Sequence, residues 1–192
     1  MTDYTDLSSV KLALGSAQTT DDALLASLIT QASRAIDRYC AGHLNSDDYF
    51  VRAAVTDAVL TGIVAHDGWL YCWPRKPIVE SVTALAYRDF GDKTWQDVDI
   101  AKWVTVEGYT VKTGGFLTPR RVQVKISFTG GFNPLPDDLV NAATLLSVRF
   151  YREVKSGLGD SIGVAELGTL TYTKALPARV IEMLKPYKRV VV

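Results

Sequence analysis

The period of the hydrophobic pattern changes twice along this chain, and that change limits the fold more than any other feature. Near the start, Leu25, Leu28, Ala32, Ile36 and Tyr39 recur every three or four residues, with Ser27, Gln31, Arg34 and Arg38 between them. Such spacing puts the apolar residues on one face of a helix and the polar ones on the other. From about residue 49 to 129 the period shortens to two. It is clearest in Arg121–Phe128, where Val122, Val124, Ile126 and Phe128 alternate with polar neighbours. That alternation marks a strand with one buried face. After Pro134 and Pro136 the helical spacing returns in Leu139, Ala142, Ala143, Leu146 and Phe150.

Capping and turn residues set the boundaries. Leu7–Leu14 reads as a short helix, with Thr5 or Asp6 as its N-cap and Gly15 ending it in the left-handed conformation. Thr19 and Asp22 have capping-box spacing, so the longer second helix begins there, and Gly42 and Asn45 stop it. The middle region is cut at Asp67-Gly68, Gly91-Asp92, Gly108 and Gly114-Gly115, and Trp69–Trp73 and Ile78–Tyr87 read as further antiparallel strands. A third helix starts at Pro136 or Asp137 and runs to about Val154; a fourth has Pro177 at its first position, Val180, Ile181 and Leu184 as its apolar face, and Pro186 at its end. Between these two helices, residues 155–173 carry Gly157, Gly159, Gly163 and Gly168, and are expected to form a mobile arm. Tyr187, Lys188, Arg189, Val190, Val191 and Val192 make a tail expected to be extended, and an extended apolar tail requires a partner.

The 192 residues are enough to bury a core without disulfides or metals. Lys plus Arg equals Asp plus Glu at 21 each, so the chain lacks the basic excess that drives non-specific DNA binding. The start has neither a basic nor an apolar leader segment, and no stretch reaches the roughly 18 apolar residues of a membrane span. Cytoplasmic synthesis and free thiols at Cys40 and Cys72 are expected.

The candidate chemistries are weak. Gly159-Asp-Ser161-Ile-Gly163 fits the Gly-x-Ser-x-Gly elbow of hydrolases, but that elbow needs a strand before it and a helix after it, and no histidine follows Ser161. Cys40, His43, His66 and Cys72 are zinc-ligand types without the paired knuckles of zinc modules. The pairs Asp21-Asp22 and Asp137-Asp138 lie at helix starts, where the macrodipole favours anions; Asp47-Asp48 lies at another element boundary. Trp69, Trp73, Trp95 and Trp103 suit either a glycan-binding groove or, more commonly, core and interface packing. Basic residues cluster at Arg149, Arg152 and Lys155, and again at Lys185, Lys188 and Arg189, where they complement helix C-termini or meet an acidic partner.

Taken in order, these segments resemble the head-tail connector (adaptor) proteins of tailed bacteriophages. The residues concerned are Leu7-x-x-Val10-Lys11-x-x-Leu14-Gly15, Asp21-Asp22-Ala-Leu-Leu25 and Ala32-Ser-Arg34-Ala-Ile-Asp37-Arg-Tyr39 near the start. Near the end they are Thr129-Gly130-Gly131-Phe132, Leu135-Pro136-x-Asp138-Leu139, Ala142-Ala143, Arg149–Glu153 and Leu176-Pro177 through Pro186-Tyr187-Lys-Arg189.

The resulting expectation is an α+β fold, an antiparallel helical bundle with an inserted antiparallel β domain. Residues 1–45 would supply the N-terminal helices, 46–133 the β domain, and 134–192 the C-terminal helices, the arm and the tail. The resemblance implies a non-enzymatic virion protein at the head-tail interface, without cofactor or metal. It implies a homo-oligomeric ring, twelvefold by portal symmetry, between the portal protein and a tail-completion or stopper (neck) protein, with DNA passing through the lumen unread. Partner contacts are assigned to Arg149, Arg152, Lys155, Lys185, Tyr187, Lys188, Arg189, Val190, Val191 and Val192. The alternative is an aromatic-rich β module that binds a glycan or host ligand.

Overall fold

Asp6 opens the first helix, α1 (Leu7–Leu14), by accepting the Ser9 amide at 2.7 Å, and Gly15 closes it at φ +68°. Both ends follow the sequence expectation. The Ser8 hydroxyl and the Ser9 amide hold the Asp6 carboxyl below its ordinary pKa, since each hydrogen bond favours the ionised form. A computed structural model describes residues 2–16, 18–41, 48–156, 161–164, 168–171 and 176–188. They divide into two units, Met1–Asp48 with Leu135–Val192, and Tyr49–Pro134.

In the first unit, α2 (Asp22–Ala41) and α4 (Asp137–Ser156) are the long elements, joined by α1, by α5 (Ala178–Leu184) and by a 3-10 turn, Lys185–Tyr187. Leu25, Leu28, Ala32 and Ile36 of α2 are buried as their spacing predicts, as are Leu139, Ala142, Ala143 and Leu146 of α4. Val10, Leu25, Ile29 and Val148 form one core cluster, with Leu7, Leu14 and Tyr151 packed against it. Pro177 stands one residue earlier than expected, as the N-cap of α5, and its carbonyl accepts the Ile181 amide. The expected stops Gly42 and Asn45 lie outside the described residues.

The second unit contains β1 (Ala53–Val64), β2 (Leu70–Cys72), β3 (Val79–Asp89), β4 (Gln96–Asp97), a single helical turn α3 (Ile100–Trp103), β5 (Val104–Glu107), β6 (Thr110–Thr113) and β7 (Arg120–Gly130). The strands make one antiparallel sheet in the order β4-β3-β7-β1-β2-β6-β5. It curls, so that Val79 at the start of β3 donates to Gly108, in the turn between β5 and β6, at 2.9 Å. The concave face holds Val64, Leu70, Cys72, Val79, Leu85, Val111 and the alternating Val122, Val124, Ile126 and Phe128.

This sheet corrects the expected architecture. The dominant element is a seven-stranded curled antiparallel sheet accompanied by a few helices, rather than a helical bundle carrying a β insertion. Three of its strands have 11 or 12 residues, and the central β7 is paired along its length on both sides. The backbone bonds of β7 are therefore satisfied within the sheet, and a core cluster of the sheet's own residues lies on the concave face. Parts of the glycine-rich arm are described. Ser161–Val164 (β8) and Gly168–Thr171 (β9) pair antiparallel, and α4 extends through Ser156. The rest of the arm lies outside the described residues.

Both cysteines are buried, Cys40 in α2 and Cys72 in β2, and desolvation pushes each thiol up to about 12. The ordinary value is 9.0, so an unfolded chain ionises these thiols first. Stability from this source is intact below pH 9 and declines as pH rises from there towards 12. The disulfide reagent DTNB at pH 8 is expected to leave both thiols of the folded chain unlabelled and to titrate two after denaturation. Rapid labelling of the folded chain would contradict this burial.

Candidate interaction surfaces

The basic residues singled out from sequence fall at opposite ends of α4. At its C-terminal end Lys155 donates to Asp21 at 2.8 Å and the Tyr151 hydroxyl donates to the same carboxylate at 2.6 Å. The Lys155 ammonium and then Tyr151 hold the Asp21 carboxyl below its ordinary pKa. Arg149 pairs with Glu153 one turn on, at 2.7 Å, and Arg152 is exposed with no carboxylate partner among the described residues. At the other end Lys188 lies over the Tyr39 ring of α2 at 5.1 Å, a cation–π distance. Burial, then the nearby Asp138 carboxylate, pushes the Tyr187 hydroxyl above its ordinary pKa, which places Tyr187 beside the start of α4. Lys185 is exposed. Asp138 and Lys155 are seventeen helical steps apart, about 25 Å along the axis, so the clusters form two surfaces rather than one. Arg189, Val190, Val191 and Val192 lie outside the described residues.

Sequence reading missed a polar cluster in the same unit. Tyr4, 2% exposed, donates its hydroxyl to Asp37, 1% exposed, and its amide to Ser33 Oγ at 3.0 Å. Arg34, expected on the wet face of α2, instead turns to Asp37 at 3.1 Å and Asp48 at 3.5 Å, and donates to the Thr2 carbonyl at 2.7 Å. Its guanidinium lies 5.7 Å from the centre of the Tyr4 ring. These bonds fasten the segment before α1 onto α2. The only sequence signal was a polar residue, Asp37, beside Ile36 on the apolar stripe.

Ser161 begins strand β8, which pairs with β9, so among the described residues it does not stand between a strand and a helix as a nucleophile elbow does. Among the described residues no three His, Cys, Asp or Glu side chains gather as a metal site, and His43 lies outside them. Trp69, Trp95 and Trp103 each carry a cation: Lys112 over Trp69 at 5.6 Å, Lys102 over Trp103 at 5.1 Å, and both Arg88 and Lys125 over Trp95 at 4.3 and 5.5 Å. Among the described residues no helix is long and apolar enough to cross a membrane.

A curled sheet with charged surfaces and an accompanying set of helices describes a subunit whose polar groups are arranged for structure and contact. The chain belongs to the head completion protein family, which it matches over residues 3–190. It is therefore a structural protein of a phage-like virion, and the likeness to connector proteins read from its helical ends holds at the level of the family. A chain of the solved virion of a native gene transfer agent particle has a similar fold, with a TM-score of 0.51 and 23% identity over 96% of this chain and 89% of that one. No curated protein matches the sequence.

Proposed function

We propose that this protein is a non-catalytic head-tail adaptor, assembling as a ring, twelvefold in the virion, that joins the portal to a tail-completion or stopper protein and lets DNA pass unread. The observation that carries this reading is the family match along almost the whole chain, residues 3–190, supported by the fold shared with a subunit of a gene transfer agent virion. Identical chains close such a ring through heterologous head-to-tail contacts. Arg152 and Lys185, exposed and without carboxylate partners among the described residues, are the best placed of the basic residues to meet other subunits. Tyr187 and Lys188 belong to the second surface, and Arg189, Val190, Val191 and Val192, assigned to the same contact, lie outside the described residues. Arg149 and Lys155 are already engaged by Glu153 and Asp21, and have a smaller part in it.

Negative-stain microscopy of the chain mixed with portal protein is expected to show rings on one face of the portal. A version lacking residues 186–192 should fold normally and bind the portal at least about tenfold more weakly, a loss typical of removing buried interface anchors. A full-length chain that stays monomeric and leaves the portal bare would overturn the adaptor reading. Undiminished binding by the truncated chain would remove the tail from it.

A further inference from the structure

The convex face of the sheet gathers two cations around one tryptophan. Register places Arg88 of β3 opposite Gln123 of β7, and Ala86 opposite Lys125, so these side chains share the face turned away from the core. Arg88 Nε donates to Gln123 Oε1 at 2.8 Å, and the guanidinium lies over the Trp95 ring at 4.3 Å. Lys125 Nζ approaches the same ring at 5.5 Å. Two cations are thus gathered on one indole, and neither has a carboxylate partner among the described residues. Like charges held this close repel, and an anion between them relieves the repulsion. With Nε engaged by Gln123 and the plane stacked on Trp95, the terminal nitrogens of Arg88 are oriented to grip a carboxylate as a fork.

The surroundings suit a protein partner. Val59 of β1, opposite Lys125, is an apolar side chain 54% exposed, and Arg121 extends the basic strip along β7. The sheet unit, residues 49–134, has ten Lys and Arg against eight Asp and Glu. The other unit has eleven against thirteen, and its first 48 residues alone have three against seven. Opposite net charge on the two units of one chain favours a head-to-tail contact between identical copies. We propose that Arg88 and Lys125, braced by Trp95 and Gln123, receive carboxylates from the helical unit of a second copy of this chain. This inference rests on the ring reading and assigns one side of the contact between neighbouring subunits.

The test is Arg88→Gln/Lys125→Gln in the full-length chain, with ring formation on the portal scored by microscopy and sedimentation at low and physiological salt. Binding of a 30-base-pair duplex is measured alongside by fluorescence anisotropy. The melting temperature should fall only slightly, because both side chains lie on the face turned away from the core cluster. Ring occupancy at a given protein concentration should fall about tenfold, and the wild-type ring should weaken as salt rises while the variant loses that dependence. A variant that forms rings as readily as the wild type overturns the inference and leaves the ring reading standing. Loss of duplex binding with rings intact would assign the site to phosphate and overturn it equally. A wild-type chain that forms no ring under any of these conditions defeats both readings.

Discussion

Replacing Asp37 with alanine is expected to lower the free energy of unfolding by about 3 kcal/mol, the cost of breaking a buried ion pair from one side. Asp37 is 1% exposed, and it receives the Tyr4 hydroxyl and faces the Arg34 guanidinium. Without the carboxylate, Tyr4 loses its acceptor and Arg34 keeps a charge in a site with little water. The value lies at the low end for buried pairs, because Asp48 and the Thr2 carbonyl still hold Arg34. Tyr4→Phe removes only one hydrogen bond to a charged group and should cost about 2 kcal/mol. Combining the two should cost less than their sum, since each removes part of the same network. Urea denaturation with an unchanged m-value is the measurement. A loss below 1 kcal/mol for Asp37→Ala would mean that the segment before α1 is held by its other contacts, such as the Tyr4 amide on Ser33 and the Thr2 carbonyl on Arg34.

That cluster shows where sequence reasoning reaches its limit. Periodicity identified the buried face of α2 correctly, because hydrophobic burial depends on which side of a helix a residue occupies. It put Arg34 in water for the same reason. A long polar side chain is not bound to the face its Cα occupies when a buried carboxylate lies one turn away. The strand β7 was legible because from Arg121 to Phe128 its inward residues are all apolar and its outward residues all polar or charged. The strand β1 was not. Val55 faces Phe128, but beyond a bulge the inward positions become Ala58, Leu60 and Gly62, so the parity of the pattern flips in mid-strand. At the bulge Asp57 adopts φ +51° and its amide bonds Ser127 Oγ at 3.0 Å, a conformation Asp tolerates better than most residues. One alternating pattern thus reads as two short fragments. With β1 halved, the sheet looked like an insertion rather than the main body of the fold.

The surfaces were legible to a different degree. The basic residues near the ends of α4 and α5 were identifiable one by one, but their separation by about 25 Å follows from helix length and the direction of the return chain, which no local pattern contains. Arg88, Trp95 and Lys125 span 37 residues of sequence and meet only through the pairing of β3 with β7. Tryptophan content alone left packing and a binding groove both open. The cations on the rings of Trp69, Trp95 and Trp103 are what favour packing and contact.

The curl of the sheet has its own point of failure, and Gly131→Ala should expose it. At Gly131 the chain leaves β7 at φ +100°, donating its amide to Ile78 at 3.0 Å, while Phe132 donates to Phe50 and Arg52 donates back to Phe132. A Cβ there would lie 2.4 Å from the Val51 carbonyl oxygen and 2.8 Å from the Arg52 nitrogen, both of them backbone atoms. Neither can rotate away as a side chain would, so the strand entering β1 has to shift and its bonds to residue 132 are strained. A left-handed conformation and an overpacked contact each cost about 1–3 kcal/mol, and together they should remove roughly 3–4 kcal/mol. Gly15→Ala separates the two effects. Gly15 is also left-handed, at φ +68°, but nothing lies within 4 Å of its added Cβ, so only the conformational cost of about 1 kcal/mol applies. Equal losses at the two sites in thermal or urea unfolding would show that the chain around Val51 yields freely; a deficit at Gly131 about three times larger is what a rigid junction between β7 and the start of β1 demands.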